Sequence, residues 1–248
     1  MKSNEGNTKG IILAGGAGTR LHPLTKIISK QLLPIYDKPM IYYPLELLVD
    51  AGIKNILIIT TEQDIDKFKN LLGDGKNWGV NLDYQIQKKP EGIAQALVIS
   101  KEWINSSPLI LILGDNLFFG EGFNQIILEA LKENVGATIF CKEMPDPNRF
   151  GVIELDNQSK VLSIEEKPKN PKSNFVVTGL YIYDEFASEN ASTLSKSKRG
   201  EFEITDLNNI YLRNQMLNAI LLDDRFEWLD TGTFDSLLEA STFVKNNK

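Results

Sequence analysis

Three short runs constrain this chain more than anything else in it. Gly10–Ala14 (GIILA), Asn55–Thr60 (NILIIT) and Leu109–Leu113 (LILIL) are apolar almost throughout. They are too short for helices and lack the alternation of a strand with one wet face. Strands apolar on both sides belong to sheets covered on both sides. Segments of helical period lie between them. Pro44 opens a stretch with Leu45, Leu48 and Val49 on one face, and Gly52 ends it. Asp64–Leu72 carries Ile65, Phe68, Leu71 and Leu72 at helical spacing, and Gly73 stops it. Val80, Leu82, Tyr84 and Ile86 alternate with polar residues, the pattern of a half-buried strand. Ile93–Ile104 and Phe123–Glu133 read as helices and Ala137–Lys142 as a strand. Repeated strand–helix–strand units predict an α/β fold: a doubly wound, mostly parallel sheet with helices on both faces. Ligands of such sheets bind beyond the carboxyl ends of the strands. The turns after Ala14 and after Leu113 are therefore where chemistry is expected.

The second half has a different grain. Phe150–Leu155, Val161–Glu165 and Val176–Tyr183 are extended runs with little helix between them. They are expected as added edge strands forming a small ligand-facing β subdomain. Helices over about 203–214 and 234–244 flank a short strand near Ala219–Leu222. No Pro-rich or Ser-rich linker, repeat or low-complexity tract interrupts the chain, so a single domain over 1–248 is expected. Its parts would be about 9–140, about 141–233 and a C-terminal helix over 234–248.

Composition excludes several classes. A chain of 248 residues can bury a large core without staples. Its net charge of −6 argues against broad nucleic-acid or membrane-surface binding. No apolar run approaches the roughly 20 residues that cross a bilayer, and the polar start lacks a secretory signal. The single Cys141 excludes an intramolecular disulfide framework and reads as a buried, inert thiol. A cytoplasmic, reducing compartment is the expectation. His22, the one histidine, has no Gly-x-Ser-x-Gly elbow to serve and reads as a packing residue or as support for a residue that touches the ligand.

The first turn is Gly15-Gly16-Ala17-Gly18-Thr19-Arg20. Its glycines let backbone N–H groups point at a phosphate. It is not a Walker loop, since no Gly-Lys-Ser/Thr follows. It also departs from the dinucleotide fingerprint, because Leu21 stands where the third glycine belongs. The charge around it sharpens the reading. From Lys9 to Met40 there are five bases, Lys9, Arg20, Lys26, Lys30 and Lys38, against one acid, Asp37. A positive segment beside a backbone nest suits a polyphosphate. Arg20 offers a planar fork and Lys30 a point charge.

Carboxylates complete the pattern. Asp115 follows a fully apolar strand, and a Mg²⁺ ion that carries nucleotide phosphates takes only one or two protein carboxylates. Asp230, before Thr231-Gly232, is the candidate second ligand, though taken alone an Asp before Thr-Gly is most often a turn or cap residue. Glu165-Glu166-Lys167-Pro168 and Arg199-Gly200-Glu201 read either as solvated edges or as ligands of sugar hydroxyls and a phosphate.

Taken together, the motifs resemble the sugar-phosphate nucleotidylyltransferases, and among them the glucose-1-phosphate thymidylyltransferases. The resemblance rests on Lys9–Leu21 (KGIILAGGAGTRL) and Ser29–Pro44 (SKQLLPIYDKPMIYYP). It continues through Leu71–Gly75 (LLGDG), Leu113–Asn116 (LGDN), Glu165–Pro168 (EEKP) and Val177–Tyr181 (VTGLY). Gly200–Asp206 (GEFEITD) and Trp228–Thr233 (WLDTGT) complete it. It implies a Rossmann-like sheet with a sugar-binding β subdomain. It also implies a Mg²⁺-dependent reaction in which dTTP and α-D-glucose 1-phosphate give dTDP-glucose and pyrophosphate by direct in-line attack. Arg20, Lys30 and Asp115 would be catalytic. Leu13, Gly15, Gly16, Gly18, Thr19, Gln31, Gln87 and Gly92 would bind the nucleotide. Asn116, Gly151, Glu166, Lys167, Val177, Tyr181 and Arg199 would bind the sugar phosphate, and Asp115 and Asp230 the metal. A homo-oligomer and a place in deoxysugar synthesis are implied as well. Members of the family continue past the position matching Phe243, as helices of a second, regulatory site. This chain stops at Lys248, so the resemblance does not carry over feedback through that site or any assembly that depends on the tail. Two alternatives stand beside this reading: the same reaction with UTP or another sugar 1-phosphate, and a catalytically silent nucleotide-sugar-binding subunit. A nicotinamide dehydrogenase is disfavoured by the missing third glycine.

Overall fold

The computed structural model describes residues 7–248. In chain order the first elements are β1 (Lys9–Ala14), β2 (Pro34–Ile35), β3 (Lys38–Pro39), α1 (Tyr42–Asp50), β4 (Asn55–Thr60), α2 (Ile65–Leu72) and β5 (Asn81–Ile86). There follow α3 (Gln95–Ile99), α4 (Lys101–Ile104), β6 (Leu109–Leu113), β7 (Asn116–Phe119), α5 (Phe123–Glu133) and β8 (Ala137–Glu143). The remainder is β9 (Gly151–Leu155), β10 (Val161–Glu166), β11 (Phe175–Tyr183), α6 (Ala187–Ser192), α7 (Ile204–Arg213), β12 (Leu217–Leu222), β13 (Glu227–Asp230) and α8 (Phe234–Asn246). The fold is α/β, a mixed, mostly parallel sheet with helices. No helix among the described residues is long and apolar enough to cross a membrane.

The chain divides into two compact units. One, the glycine-turn unit, holds Lys9–Pro90, Ile112–Gln125 and Glu227–Lys248. Its strands run β6–β1–β4–β5. β1 and β4 are parallel with Ile12 opposite Ile58, and β4 and β5 are parallel with Ile58 opposite Tyr84. The apolar runs predicted for these strands are the buried ones: Ile11, Ile12, Ile56 and Ile58 have no exposed surface. A second cluster joins Ile35, Met40 and Tyr43 to Leu117, Leu229, Ala240 and Val244.

The other unit includes Glu91–Leu111 and Ile126–Phe226. Its strands run β10–β9–β11–β6, with β8 also paired to β11 and β12 to β8. The pairs β9–β10, β9–β11 and β8–β11 are antiparallel, whereas β8–β12 is parallel. β11 shifts register between Val177, opposite Cys141, and Tyr181, opposite Ile139. Such a bulge re-aims side chains along the strand.

Several elements differ from expectation. The predicted helix over 93–104 is two short helices, broken at Ser100, whose hydroxyl donates back to the Ala96 carbonyl at 2.5 Å. That bond competes with the helix ladder. α6 falls in a stretch for which the sequence predicts no element, because ASENAS carries no apolar stripe. β7 and β13 form an antiparallel ribbon, with Asp230 opposite Asn116 and Trp228 opposite Phe118, that no local pattern in the sequence predicts.

Candidate active site

The first turn follows β1 as expected. Gly18 has φ +57°, a left-handed conformation that costs a side-chain-bearing residue energy. It opens a short 3₁₀ turn over Thr19–Leu21. Gly15 is buried; Gly16, Thr19 and Arg20 are exposed and Leu13 is half-buried. A Cβ on Gly15 would run into the Gln87 carboxamide, so these two predicted nucleotide residues touch. Gln87 is held by its amide N–H, which donates to the Thr60 carbonyl at 2.7 Å.

Lys30 begins another 3₁₀ turn and is 7% exposed. Its ammonium donates to the Asp115 carboxylate. Gln31, also buried, accepts from the Ser29 hydroxyl at 2.6 Å. Gly114 lets this region close up: its N–H donates to the Leu13 carbonyl at 2.9 Å, and a Cβ there would lie 3.0 Å from Gln31 Cγ.

The β7–β13 ribbon explains how two acids 115 residues apart in the chain come together. Asp115 precedes β7, and Asp230 ends β13 opposite Asn116. Thr231, fully buried, fastens the join: its N–H and its hydroxyl both donate to the Asp115 carbonyl, at 3.3 and 2.8 Å. Asn116 donates to Asp115 Oδ1 at 3.1 Å and accepts from Trp228 Nε1 at 2.7 Å. Burial opposes ionisation of Asp115. The Lys30 ammonium and the hydrogen bonds to its carboxylate outweigh this and hold its carboxyl below the ordinary range. Arg20 approaches from the first turn. A Cβ on Gly232 would sit 2.8 Å from Arg20 Nη2. The Arg20 guanidinium makes no ion pair among the described residues. Arg20, Lys30, Asp115 and Asp230 thus gather in one unit. Among the described residues no group of three or more acids, histidines or cysteines forms a metal cage. Two hard carboxylate donors on adjoining strand ends, one kept ionised, nevertheless match a Mg²⁺ ion that takes its other oxygens from a nucleotide and water.

The other unit collects the predicted sugar-phosphate residues apart from Asn116, which lies beside Asp115 in the glycine-turn unit. Gly151 lies opposite Glu166 in the β9–β10 ladder. A Cβ on Gly151 would sit 3.2 Å from Thr205 Oγ1, 3.6 Å from Glu166 Oε2 and 3.8 Å from Val177 Cβ. Glu166 Oε2 accepts from Thr205 at 2.6 Å, and its Oε1 from Arg199 Nη1 at 3.2 Å. Arg199 also reaches Glu201 at 2.8 Å and Glu203 at 3.6 Å. Burial disfavours the Arg199 charge, but the carboxylates around it raise its pKa above the ordinary value. Burial in turn pushes Glu203 upward. Lys167, exposed and with φ +46°, has its ammonium 3.7 Å from Glu166. Tyr181 is buried and stacks on Tyr183 with ring centroids 6.1 Å apart. Burial foremost, and the Glu166 charge next, raise its pKa. Gly92 lies in this unit too, against the Phe202 backbone.

Some residues stand apart from the sequence reading. His22 is exposed, not a packing residue, because its loop turns it outward beside Pro23. Thr205, Thr231 and Gly232 lie inside the Gly200–Asp206 and Trp228–Thr233 motifs, but the sequence assigns them no role. Their only sequence signal is adjacency to Glu203 and Asp230. Cys141 is buried as expected, and burial pushes its thiol up.

A glycine-rich turn after a parallel strand, one unpaired and one paired cation, and two carboxylates joined through an antiparallel ribbon fit one class: enzymes that transfer a nucleotidyl group. The chain belongs to the nucleotidyl transferase family, whose profile matches residues 9–247, and within it to the glucose-1-phosphate thymidylyltransferases. It is 52% identical to the glucose-1-phosphate thymidylyltransferase of Neisseria meningitidis over 96% of this chain and 82% of that one. It is 51% identical to that of Mycobacterium tuberculosis over the same shares. A Bacillus anthracis structure described by the same name superposes with a TM-score of 0.89 at 40% identity, covering 96% of each chain. A UDP-glucose pyrophosphorylase, 24% identical, shares the fold with a TM-score of 0.85 over 98% of this chain and 100% of that one.

Proposed function

We propose that the protein transfers the thymidylyl group of dTTP to α-D-glucose 1-phosphate, giving dTDP-glucose and pyrophosphate. The observation that carries this is the gathering of Arg20, Lys30, Asp115 and Asp230 around the β7–β13 ribbon. A sugar-phosphate oxygen attacks the α-phosphorus in line, the bond to the β-phosphate oxygen breaks, and pyrophosphate leaves. No side chain becomes covalently bound, so catalysis is positioning and charge neutralisation. The first turn, with Leu13, Gly15, Gly16, Gly18, Thr19 and Gln31, cradles the nucleotide, and Gln87 and Gly92 read the base. Arg20 forks onto the phosphates and Lys30 steadies the departing pyrophosphate. Asp115 and Asp230 hold Mg²⁺, which when bound neutralises phosphate charge. Asn116 binds the sugar phosphate beside Asp115, to whose carboxylate it donates. Glu166 accepts hydrogen bonds from the sugar hydroxyls, with Gly151, Val177 and Tyr181 shaping the wall. Lys167 and Arg199 take the sugar phosphate. The enzyme works in the cytoplasm, as a homo-oligomer, and its product feeds deoxysugar synthesis.

Pyrophosphate release tests the reading. Turnover is expected with dTTP, glucose 1-phosphate and Mg²⁺ together, and none when EDTA removes the metal. UTP differs from dTTP by one methyl and one hydroxyl, and such small groups are discriminated modestly. A higher kcat/KM with UTP, or with another sugar 1-phosphate, would reassign the substrates. No release with any pair would leave a silent binding subunit.

A further inference from the structure

Lys30 sits in a segment built almost wholly of short turns, from Leu21 to Leu33, yet its ammonium must be placed to within a fraction of an ångström. The fixing point is the start of α2. Asp64 is the residue before that helix, where an aspartate ordinarily caps the first turn through its carboxylate. Here the carboxylate caps nothing in its own helix. It is 6% exposed and turned onto the loop: Oδ1 accepts the Ser29 N–H at 3.3 Å, and Oδ2 accepts the Thr61 hydroxyl at 3.0 Å. One helical turn on, Lys67 donates to Asp64 Oδ1 at 2.7 Å and to the Ile27 carbonyl at 3.0 Å. An acceptor and a donor three residues apart on α2 thus grip a donor and an acceptor two residues apart on the loop. Ser29, gripped by its N–H, also bonds Gln31 through its hydroxyl, so both neighbours of Lys30 are tied. Phe68, fully buried one residue beyond Lys67, anchors the helix itself.

We propose that Asp64 and Lys67 are positioning residues: a clamp that holds the Ile27–Ser29 backbone so that Lys30 meets the phosphates of the nucleotide. The inference rests on the role given to Lys30 above. Neither clamp residue touches substrate, so the loss on breaking the clamp travels through Lys30.

The experiment measures steady-state kinetics of Asp64→Asn and Lys67→Met, alone and combined with Lys30→Met, with a thermal melt of each. Trypsin cleavage after Lys26 is timed in parallel. Each single clamp variant is expected to lose kcat about tenfold, in line with the cost of misplacing a catalytic group, with KM for glucose 1-phosphate unchanged. In the Lys30→Met background the same substitutions are expected to cost nothing more, since residues that act as a unit are not additive. Cleavage after Lys26 is expected to quicken several-fold. An unchanged kcat, or an equal further loss in the Lys30→Met background, overturns the proposal. If Asp64→Asn fails to fold, Lys67→Met carries the same comparison. If the wild type releases no pyrophosphate, the substrate reading has failed, and the trypsin arm still decides the clamp: unchanged cleavage overturns it.

Discussion

Gly232 leaves room for the Arg20 guanidinium, and that room decides what Arg20 can do. A Cβ at position 232 would lie 2.8 to 3.2 Å from three guanidinium atoms. The side chain that must give way is long and flexible, so Gly232→Ala is expected to shift Arg20 rather than unfold the chain. We expect kcat to fall about tenfold or more with the melting temperature little changed. Arg20→Ala should lose far more than Lys9→Ala. A fully active Gly232→Ala, or equal small losses in Arg20→Ala and Lys9→Ala, would remove Arg20 from the chemistry. At the carboxylates, Asp115→Asn and Asp230→Asn are isosteric. Each is expected to abolish Mg²⁺-dependent turnover while circular dichroism stays unchanged. Near-normal rates in either would strike that residue from the metal role. Arg20 and Lys30 were legible before the structure because charge concentration survives in a linear sequence. Thr231 and Thr205 were not, since a threonine donating to a distant carbonyl or carboxylate has no local signature.

Among the elements, legibility followed the range of the contacts. β1, β4 and β6 are apolar on both faces and announce themselves locally. β7 and β13 are four residues each, and each is a strand only because the other lies beside it; neither NLFF nor EWLD carries a period to read. The ribbon matters because it seats Leu117 and Leu229 in the cluster with Ile35, Met40 and Tyr43. Tyr43 ties α1 to β2: its hydroxyl donates to the Ile35 carbonyl at 3.2 Å in a buried setting. Burial, with the nearby Glu46 charge, pushes Tyr43 up to about 12 from an ordinary 10.0. A phenol that resists ionisation in the fold but ionises when unfolded contributes stability below pH 10, and this is lost as pH rises through about 12. The melting temperature should therefore fall across that window. Tyr43→Phe should cost about 1 kcal/mol at neutral pH and flatten part of the alkaline fall. Parallel curves for the two proteins would refute the assignment.

Across the whole molecule, charge is distributed against its own average. The chain is −6 overall, yet Lys9–Met40 has five bases and one acid, and the structure shows how those bases divide. Lys38 is engaged by Glu46, and Lys30 by Asp115. Arg20 has no such partner among the described residues, and neither has the exposed Lys26. A tetra-anionic nucleotide approaching a protein of net charge −6 meets its own sign on average, so the local field of this segment governs capture more than the net charge does. Capture by exposed cations is screened once the Debye length shrinks to about 8 Å at physiological ionic strength. The kcat/KM for dTTP should accordingly fall several-fold between about 10 and about 200 mM NaCl. kcat should stay nearly constant, because the pair at Lys30 and Asp115 is sheltered from salt. Lys26→Met should lower kcat/KM at low salt and flatten the salt curve without altering kcat, as expected of a residue that attracts but does not react. A salt-independent kcat/KM, or a kcat that falls in step with it, would mean that the positive segment serves the fold and not the approach of the nucleotide.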